Sequence, residues 1–525
     1  PSSKGTDRSK RDSERFRSEF KAPIGSGTAR AFFLQANLDM TFDGVTFKGC
    51  TGDGSVGGGA FLLNESSSSS FMFNNCVFES NSSNSYGGAV VGSNAVGSVA
   101  FNGCKFKANR AAKTGGAVHF SNGNWTFSNC SFEGNSSAGS GGAISASGAE
   151  TVFKITGGDF TSNVAASNAG AINLGCATVS ISGVSFIGNE AKPSGTANAQ
   201  GGAIYFVKNE DFTSDRNLKD CVFKENKVSA ANAAWNDAAK SYVRGGAVYI
   251  AGLPKVVFDG CSFESNEQKD YDAYKNFGGG AIYAVSRFEA KSCSFKSNKA
   301  YTGGALGSTS EFVCTECSFE QNESTNNGGA CWLNPVSNAT FKDCDFLSNR
   351  TEANVGGTIY LSGTSLLNMT GGSVKGSYAG GSGGGGIYNS GVSKINMTDV
   401  EFSGNEAKNA GGVIWNSNDG AVITIGGKST FSGNKAGTNG GVIFTKSSAE
   451  FIIKDEVTFS GNSAGGQGGV MGKVETQTVG LHQRTGLMDM VAQNGLQSLL
   501  QQVGCGVGTH DGLAALHIDG SVDQV

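Results

Sequence analysis

Residues Cys293 to Leu306 read CSFKSNKAYTGGAL, and this stretch contains the two signals that decide the fold. The first signal is Phe295-x-x-Asn298, and the second is Gly303-Gly304-Ala305-Leu306, with four residues between them. The same pair of signals recurs from about residue 47 to residue 471. Most of the chain is therefore one small unit used many times, and the repeat has to be interpreted before any other feature.

The number of units follows from the glycines. Fourteen Gly-Gly pairs and one degenerate pair, Ala169-Gly170, give fifteen units, mostly 24 to 29 residues apart with three longer intervals. Thirteen units carry Phe-x-x-Asn, from Phe78 to Asn462. A period of this length is too short for an independent domain. It predicts one coil of a parallel β-helix, with two or three short strands in each coil.

Glycine and asparagine predict the corners of each coil. Glycine adopts backbone angles that other residues avoid, and the second glycine of the pair occurs in all fifteen units. We therefore expect the sharpest corner at the second glycine. Asparagine tolerates left-handed turn geometry and is expected to end the strand that contains the phenylalanine. Stacked about 4.8 Å apart, the asparagines are placed to hydrogen-bond along the rod as a ladder.

Helical repeats are the competing architecture, and the composition argues against them. Glycine makes up 81 of the 525 residues, and serine and asparagine are abundant throughout. These residues disfavour helices, whereas the short apolar runs are rich in β-branched and aromatic residues. The predicted fold is all-β, a parallel β-helix of about fifteen coils.

The chain is predicted to have three regions. Residues 1–30 are polar and charge-rich, and they predict a disordered leader without the apolar segment of a signal peptide. Residues 31–472 are the β-helix. Residues 473–525 lack the repeat, and the apolar residues between Leu487 and Val503 have roughly helical spacing, which predicts a short amphipathic helix that caps the last coil. The chain has no run of 18 apolar residues, so no transmembrane helix is expected.

The chain contains thirteen cysteines, an odd number. Positions i and i+2 of a strand share a face, so cysteines two residues before the repeat phenylalanine are expected to point inward with it. The favoured interpretation is a ladder of small buried hydrophobic side chains. The alternative is disulfides between coils or between molecules, for which the Cβ atoms of stacked strands lie somewhat far apart. Eight cysteines have this spacing: Cys76, Cys104, Cys130, Cys221, Cys261, Cys293, Cys317 and Cys344.

Charge and chemistry exclude several functions. The net charge of −4 argues against a nucleic-acid partner, because phosphate binding needs a basic surface. Enzymes with this fold that act on acidic polysaccharides need clustered acids. Here Asp159 and Asp345 share a repeat position but lie six coils apart, roughly 29 Å, and Asp259 sits at another position. Of the four histidines, only His119 lies in the repeats. No catalytic residue, metal ligand or cofactor site is predicted.

An aromatic stripe is the main candidate binding feature. Two positions after the corner alanine, eight of nine successive coils carry an aromatic residue, with Gly307 as the gap. The preceding position is apolar, so alternation directs the aromatic side chains outward. A stacked ladder that stiffens the sheet is the favoured interpretation, and a platform for sugar rings or a partner strand is the alternative. The stripe consists of Tyr205, Tyr249, Tyr283, Trp332, Tyr360, Tyr388, Trp415 and Phe444.

Three insertions account for the long intervals. They occupy residues 190–200, 227–244 and 267–277, always between Phe-x-x-Asn and Gly-Gly, so they leave the rod at one corner and stack on one side. In solenoids such insertions often form the binding face, and neutral loop growth is an equally weighted alternative. Ten Asn-x-Ser/Thr sequons, among them Asn64, Asn124 and Asn396, permit glycosylation in a eukaryotic secretory pathway.

Phe-x-x-Asn alternating with Gly-Gly-Ala-(Ile/Leu/Val) resembles the repeats of the chlamydial polymorphic outer membrane proteins. The resemblance rests on FESN, FKAN, FEGN, FKEN, FKSN and FEQN together with GGAV, GGAI and GGAL, and similar repeats occur in surface proteins of some protists. It covers roughly residues 47 to 471. It implies a right-handed parallel β-helix of the autotransporter-passenger type at a cell surface, with adhesion as the usual role. The bacterial proteins end in an outer-membrane barrel, which residues 473–525 cannot form.

Three functions remain open on this sequence. The leading hypothesis is a non-enzymatic, surface-exposed or secreted adhesin-like protein, of a virulence type, that binds cell-surface receptors or carbohydrate; it would be extracellular, or outer-membrane-associated if bacterial. The second is a polysaccharide lyase or hydrolase. The third is a structural surface component that self-associates through disulfides.

Overall fold

The strands of the chain follow the period of the repeat. The computed structural model describes residues 30–473 apart from 35–38, 53, 65–68, 94–96, 194–197, 208–213, 230–241, 253–254, 270–277 and 447, together with short strands at 19–21, 479–482 and 515–516. Each coil contributes four strand segments, which we name faces A, B, C and D in chain order. Segments of successive coils pair in parallel, so the chain is a parallel β-helix, as predicted, with four segments per coil rather than two or three.

Faces A and B follow the glycine pair. Face A consists of Phe32–Leu34, Phe61–Asn64, Val90–Ser93, Val118–Ser121, Ile204–Phe206, Val248–Ile250, Ile282–Ala284, Leu306–Ser308, Cys331–Leu333, Ile359–Leu361, Ile387–Asn389, Ile414–Asn416, Ile443–Thr445 and Met471–Lys473. Face B consists of Asp39–Asp43, Ser70–Asn74, Ser98–Asn102, Arg216–Lys219, Val256–Asp259, Phe288–Lys291, Phe312–Thr315, Ala339–Lys342, Leu366–Thr370, Lys394–Thr398, Ala421–Gly426, Ala449–Ile453 and Val479–His482.

Faces C and D flank the asparagine. Face C consists of Glu19–Lys21, Thr46–Lys48, Val77–Glu79, Lys105–Lys107, Ser185–Ile187, Val222–Lys224, Ser262–Glu264, Ser294–Lys296, Ser318–Glu320, Asp345–Leu347, Ser373–Lys375, Glu401–Ser403, Thr430–Ser432 and Thr458–Ser460. Face D consists of Thr51–Gly52, Ser82–Ser83, Arg110–Ala111, Ser136–Ser137, Val164–Ala165, Glu190–Ala191, Lys227–Val228, Glu267–Gln268, Lys299–Ala300, Glu323–Ser324, Arg350–Thr351, Tyr378–Ala379, Glu406–Ala407, Lys435–Ala436 and Ser463–Ala464.

Three strands run through more than one face without a break. Asn124–Glu133 spans faces B and C, Ile144–Thr161 spans A to C, and Ile172–Ser182 spans A and B. In the described residues, faces A, B and C together with Ala515–Leu516 form one sheet of 45 strands, and face D forms a separate sheet of fifteen, one strand for each unit of the repeat. In the part of the chain that the structure describes, no helix is long and apolar enough to cross a membrane.

The ends of the rod are only partly described. Most of the predicted leader and the predicted amphipathic helix of residues 473–525 lie outside the described residues. Glu19–Lys21, within the expected leader, pairs with Thr46–Lys48 on face C. Val479–His482 continues face B beyond the last repeat unit, and Ala515–Leu516 pairs with it in antiparallel fashion.

Three left-handed residues turn the backbone in a typical coil. In the coil of Phe295 they are Ser292 (φ 49°), Ser297 (φ 55°) and Gly303 (φ 61°). The sharp corner therefore lies at the first glycine of the pair, and our assignment to the second was wrong. The second glycine is needed for another reason: a Cβ atom on Gly304 would lie 2.3 Å from the carbonyl oxygen of Gly329 in the next coil. Close approach of backbones, rather than φ, excludes a side chain there.

Asparagine also occupies a different place from the one predicted. The left-handed residue is the one before it, Ser297, and Asn298 lies between faces C and D with its side chain completely buried. Asn298 Nδ2 donates to Oδ1 of Asn322 (3.0 Å) and to the main-chain oxygen of Phe263 (2.9 Å). The backbone N–H of Asn298 donates to the same Oδ1 (3.1 Å). This pattern repeats along the rod and confirms the predicted ladder.

The interior is a stack of phenylalanine rings. The central residue of each face C strand points inward, and successive rings such as Phe106, Phe132 and Phe160 lie 4.5 Å apart and nearly parallel. The cysteines pack in the same core, and all twelve in the described residues are buried free thiols. Cys317 Sγ, for example, donates to the main-chain oxygen of Ala290 (3.4 Å). The favoured interpretation of the cysteine ladder as small buried side chains agrees with this packing.

Candidate binding surface

The eight aromatic residues of the predicted stripe lie in one row along face A. Each is the central residue of a three-residue strand, and strand pairing aligns each with its neighbours, with Gly307 in the gap. The flanking residues of a strand, such as Ile282 and Ala284 beside Tyr283, point into the main core. The row faces away from that core and forms two apolar clusters of its own.

The aromatic row is covered rather than bare. Five of its rings are buried, and Tyr205, Tyr360 and Tyr388 are half-buried. The covering residues belong to the connector between face D and the glycine pair. Ala410 packs on the row at Trp415, and Gly383 lies so close that a Cβ atom there would be 2.2 Å from the Trp415 ring. The alternation of side chains along a strand predicts that these aromatic side chains point outward. It does not show whether another segment of the chain folds over them. The buried rings are Tyr249, Tyr283, Trp332, Trp415 and Phe444.

Within the row, neighbouring rings are in contact. Tyr205 stacks on Tyr249 (5.2 Å between ring centroids), and Tyr249 on Tyr283 (5.8 Å). Burial raises the pKa of Tyr283 to about 12, so its phenol stays neutral even in alkaline solution where an exposed tyrosine ionises. These contacts are those of a ladder that holds coils together.

The first two insertions build a small second layer at their bases. Ala199–Gln200 and Val243–Arg244 pair in parallel outside the coil. Ala199 and Val243 of these strands form a separate apolar cluster with Ala191 and Val228 of face D. The described bases of the first two insertions therefore lie side by side, whereas residues 194–197, 230–241 and 270–277, on which the predicted stacking mostly depends, lie outside the described residues. The third insertion joins them, since Gln268 Nε2 donates to the main-chain oxygen of Val243 (2.8 Å).

An arginine connects the insertion layer to the aromatic row. The Arg244 guanidinium lies 4.2 Å from the centre of the Tyr242 ring and 4.7 Å from that of Tyr283. A planar cation between two aromatic rings is a favourable arrangement in a partly desolvated place. Tyr242 and Arg244 both keep some exposure. This cluster offers aromatic faces and a positive charge next to the insertions, and the sequence reasoning missed it because Tyr242 and Arg244 lie outside the repeat motifs.

The acids considered for catalysis do not come together. Asp159 and Asp345 lie on face C, six strand pairings apart, and Asp259 lies on face B. Asp345 accepts a hydrogen bond from Ser373 Oγ (2.6 Å), a partner in the next coil. Among the described residues, no group of three or more His, Cys, Asp or Glu side chains is arranged to hold a metal ion.

Four of the ten sequons contain ladder asparagines. Asn81, Asn135, Asn322 and Asn349 have no exposed surface and use their side-chain amides in hydrogen bonds along the rod. These four cannot carry a glycan in the folded chain, because a glycan on Nδ2 would break the ladder. Asn124 and Asn396 are exposed.

Charged residues line the convex edge between faces C and D, and the sequence reasoning missed them. One row is the residue after each repeat phenylalanine, and the other is the first residue of each face D strand. In the row after the phenylalanine, lysine and glutamate alternate from coil to coil in two blocks, from Lys48 to Glu133 and from Lys224 to Glu320. Neighbouring members form ion pairs, as Lys48 does with Glu79 (3.1 Å) and Lys296 with Glu320 (3.0 Å). The signal was present in the variable position of FESN, FKAN and FKSN.

Three stretches of the repeat match a known family model. The model, described as the Chlamydia polymorphic membrane protein repeat, matches residues 129–147, 399–417 and 428–446. At these three sites the chain has the polymorphic membrane protein repeat. The first of these matches runs from the corner before Cys130, through the buried Phe132 and Asn135, to the face A strand. The polymorphic membrane protein repeat thus corresponds to faces C and D, the connector and the start of face A, and the resemblance seen in the sequence is confirmed. Searches of curated proteins and of solved structures give no match.

Proposed function

We propose that this rod is the displayed part of a cell-surface or secreted protein and that it binds a surface receptor or carbohydrate without changing it chemically. The observation that carries the proposal is the combination of stretches that match the polymorphic membrane protein repeat with three insertions that all occur between face D and the glycine pair, the first two of which pair at their bases. A rigid rod that carries its insertions at one corner of the coil is suited to presenting a binding surface away from its point of attachment. If the source is bacterial, the expected location is the outer membrane surface.

The proposed contact surface is the side formed by the connectors, the insertions and the exposed parts of the aromatic row. Tyr205, Tyr360 and Tyr388 retain accessible area, and Tyr242 with Arg244 adds an aromatic and cationic group. Aromatic faces bind the apolar faces of sugar rings, and a guanidinium binds carboxylate or sulfate groups. The buried members of the row support this surface from below.

The test is binding of the folded chain to a glycan array and to host-cell surfaces, with polysaccharide turnover measured in parallel. Tyr360→Ser and Tyr388→Ser remove two half-buried rings, and Ser145 already occupies the same row position in another coil. A third variant, Arg244→Gln, removes the charge. The matched control is Lys394→Gln, an exposed residue on face B.

Loss of binding in the aromatic or Arg244 variants, with a circular dichroism spectrum showing that they remain folded at the assay temperature and with normal binding by the Lys394 variant, would support the proposal. Turnover of a polysaccharide would contradict it. Binding that survives all three variants would remove this side of the rod as the contact surface.

A further inference from the structure

The charged edge between faces C and D has an unusual order in the middle of the rod. In four successive coils the two edge positions carry the same charge, and the sign alternates from one coil to the next. The coils carry, in order, Lys224 with Lys227, Glu264 with Glu267, Lys296 with Lys299, and Glu320 with Glu323. Glu190 precedes this block on face D and Arg350 follows it.

Within one chain these charges already form pairs along the rod. Lys224 pairs with Glu264 (3.3 Å), and Lys299 pairs with Glu323 (3.3 Å). The four side chains keep between 26% and 52% of their surface exposed. Each charge is therefore neutralised along the rod axis but still presents one side to the solvent, where a single exposed pair contributes little.

When a second copy of the rod runs in the opposite direction, each positive coil of this block lies opposite a negative coil of the other copy. We propose that two copies of this chain associate side by side along this edge, with the rods antiparallel and the two-fold axis perpendicular to them, between the coils of Glu264 and Lys296. In that arrangement Glu264 and Glu267 face Lys296 and Lys299 of the second copy. A two-fold axis parallel to the rods would place each coil against its own copy, so like charges would meet. The antiparallel dimer is the isologous arrangement that the charges allow.

The ends of the block obey the same rule. Reversal brings Lys224 and Lys227 against Glu320 and Glu323, and it brings Glu190 against Arg350. The neighbouring edge positions are Ile187, which is half-buried, and Leu347, which is 46% exposed. These two apolar residues meet in the antiparallel dimer as well. All six coils therefore find a complementary coil on the second copy.

The insertions provide an independent argument. They follow face D in the coils of Glu190, Lys227 and Glu267, whereas the next three coils have short connectors, such as Tyr301–Thr302. The antiparallel arrangement sets every coil with an insertion opposite a coil without one. A parallel dimer would set insertions against insertions. The positions of the insertions in the sequence and the order of the edge charges therefore favour the same antiparallel orientation of the two copies.

The contact is small, and this determines how it is to be measured. Six coils span about 24 Å along the rod, and a contact along one convex edge buries less than the roughly 800 Å² per partner of a standard interface. The dimer is accordingly weak and sensitive to salt. We expect it at high protein concentration in about 0.02 M NaCl and not in about 0.5 M NaCl, where the Debye length is roughly five times shorter.

Sedimentation velocity on the full chain tests this proposal. The variant Glu264→Lys/Glu267→Lys and the variant Lys296→Glu/Lys299→Glu each place like charges across the two-fold axis, so each alone is expected to weaken dimerisation at low salt by about tenfold or more. Mixed one to one, they are again complementary over all four charged coils, and the mixture is expected to regain the dimer. The control Glu289→Lys/Glu311→Lys changes the net charge equally and breaks ion pairs on face B with Lys255 and Arg287. It is expected to dimerise normally.

Cross-linking tests the orientation. Glu225 and Gln321 are exposed residues at the apex of the edge, in coils that face each other only in the antiparallel dimer. A mixture of Glu225→Cys and Gln321→Cys chains is expected to form a disulfide-linked dimer under mild oxidation, and either variant alone is not. A protein that is monomeric at low salt, a dimer that the charge reversals leave unchanged, or cross-links formed equally by single variants would overturn the proposal.

Discussion

A single asparagine shows how each residue of the repeat is held. In Asn298 both amide hydrogens donate, and Oδ1 accepts from the side chain and backbone of Asn266. No other side chain of this size offers two donors and a two-fold acceptor in one plane. Serine at the equivalent place, Ser377, divides the ladder into a run from Asn81 to Asn349 and a run from Asn405 to Asn462.

Replacing Asn298 is therefore expected to destabilise the rod strongly. Asn298→Ala leaves the buried N–H groups of Asn266 and the Phe263 carbonyl without partners, at a cost of about 2–4 kcal/mol in the free energy of unfolding. Denaturant unfolding followed by circular dichroism measures this loss. The reverse change, Ser377→Asn with Thr358→Ala, joins the two runs and is expected to raise stability. Thr358 is included because its hydroxyl bonds Ser377 Oγ (2.6 Å). A neutral result in both would contradict the role of the ladder.

His119 is expected to make the stability of the folded protein depend on pH in acidic solution. It stacks on Tyr86 (4.6 Å between ring centroids), and its Nδ1 lies 3.1 Å from Thr114 Oγ1. Burial lowers its pKa from 6.5 to about 4. The folded state thus disfavours the protonated ring, so this contribution to stability is complete above pH 6.5 and is lost as the pH falls toward 4. Because carboxylates also titrate here, the measurement is the difference between wild type and His119→Ser. A difference independent of pH between 7 and 4 would contradict the prediction.

At the scale of one element, each face A strand separates two cores. Its flanking residues enter the main core, and its central residue enters the thinner layer beneath the connectors. The connector explains why an outward aromatic row is buried at five of its eight positions. It also explains Gly383, where Trp415 occupies the space that a side chain would need.

The described cysteines lie at buried positions on or next to the strands, so we predict that their thiols are unreactive in the folded protein. Burial raises the pKa of Cys176 to about 12 and raises that of Cys331 as well, so neither forms a thiolate in the folded state at neutral pH. We expect none of the twelve described thiols to react with a disulfide reagent until the protein unfolds. The Glu225→Cys variant, with its exposed thiol, serves as the reactive control. Because the folded-state pKa of Cys176 is raised, the preference of the folded state for its neutral thiol contributes to stability. This contribution is complete below the ordinary thiol pKa and is lost as the pH rises from about 8.5 toward 12. Fast labelling of the native wild type at more than one site would contradict the prediction, since Cys505 lies outside the described residues.

At the scale of the whole molecule, the coils have similar cores but different edges. Most coils have the same phenylalanine, asparagine and glycine at equivalent positions. These ladders would therefore form between any two such coils and do not by themselves specify which coils are neighbours. Between Lys224 and Glu323 the alternating edge charges favour direct neighbours over next-neighbours, because skipping one coil would bring like charges together. In this part of the rod the edge charges therefore add to the order that the chain connectivity imposes.

Deleting one coil tests this idea. Removal of residues 293–316 joins Ser292 to Cys317 at equivalent positions and places Glu264 and Glu267 beside Glu320 and Glu323. We expect a shorter folded rod that is less stable than the full chain by more than the loss of one coil. Adding Glu320→Lys to the deletion restores the alternation in the row after the repeat phenylalanine, where the next residue is the uncharged Leu347, whereas Glu323 is kept because it neighbours Arg350. This change is expected to recover part of the loss, on the order of 1 kcal/mol. Thermal unfolding compares the two, and equal stability would contradict the role of the edge charges.

The sequence by itself determined the parallel β-helix, the period, the number of units, the phenylalanine and asparagine ladders, and the side on which insertions such as residues 190–200 emerge. These follow from a motif that must recur once per coil, because each coil is stabilised only by an identical geometry above and below it. Tertiary structure alone decided which glycine turns the chain, that Trp332 and Trp415 are covered, and that Arg244 lies between Tyr242 and Tyr283. The contacts of Arg244 with Tyr283 and of Gly383 with Trp415 join residues of different coils, which no short-range pattern relates. Backbone proximity across coils, as at Gly304, likewise does not depend on the local sequence.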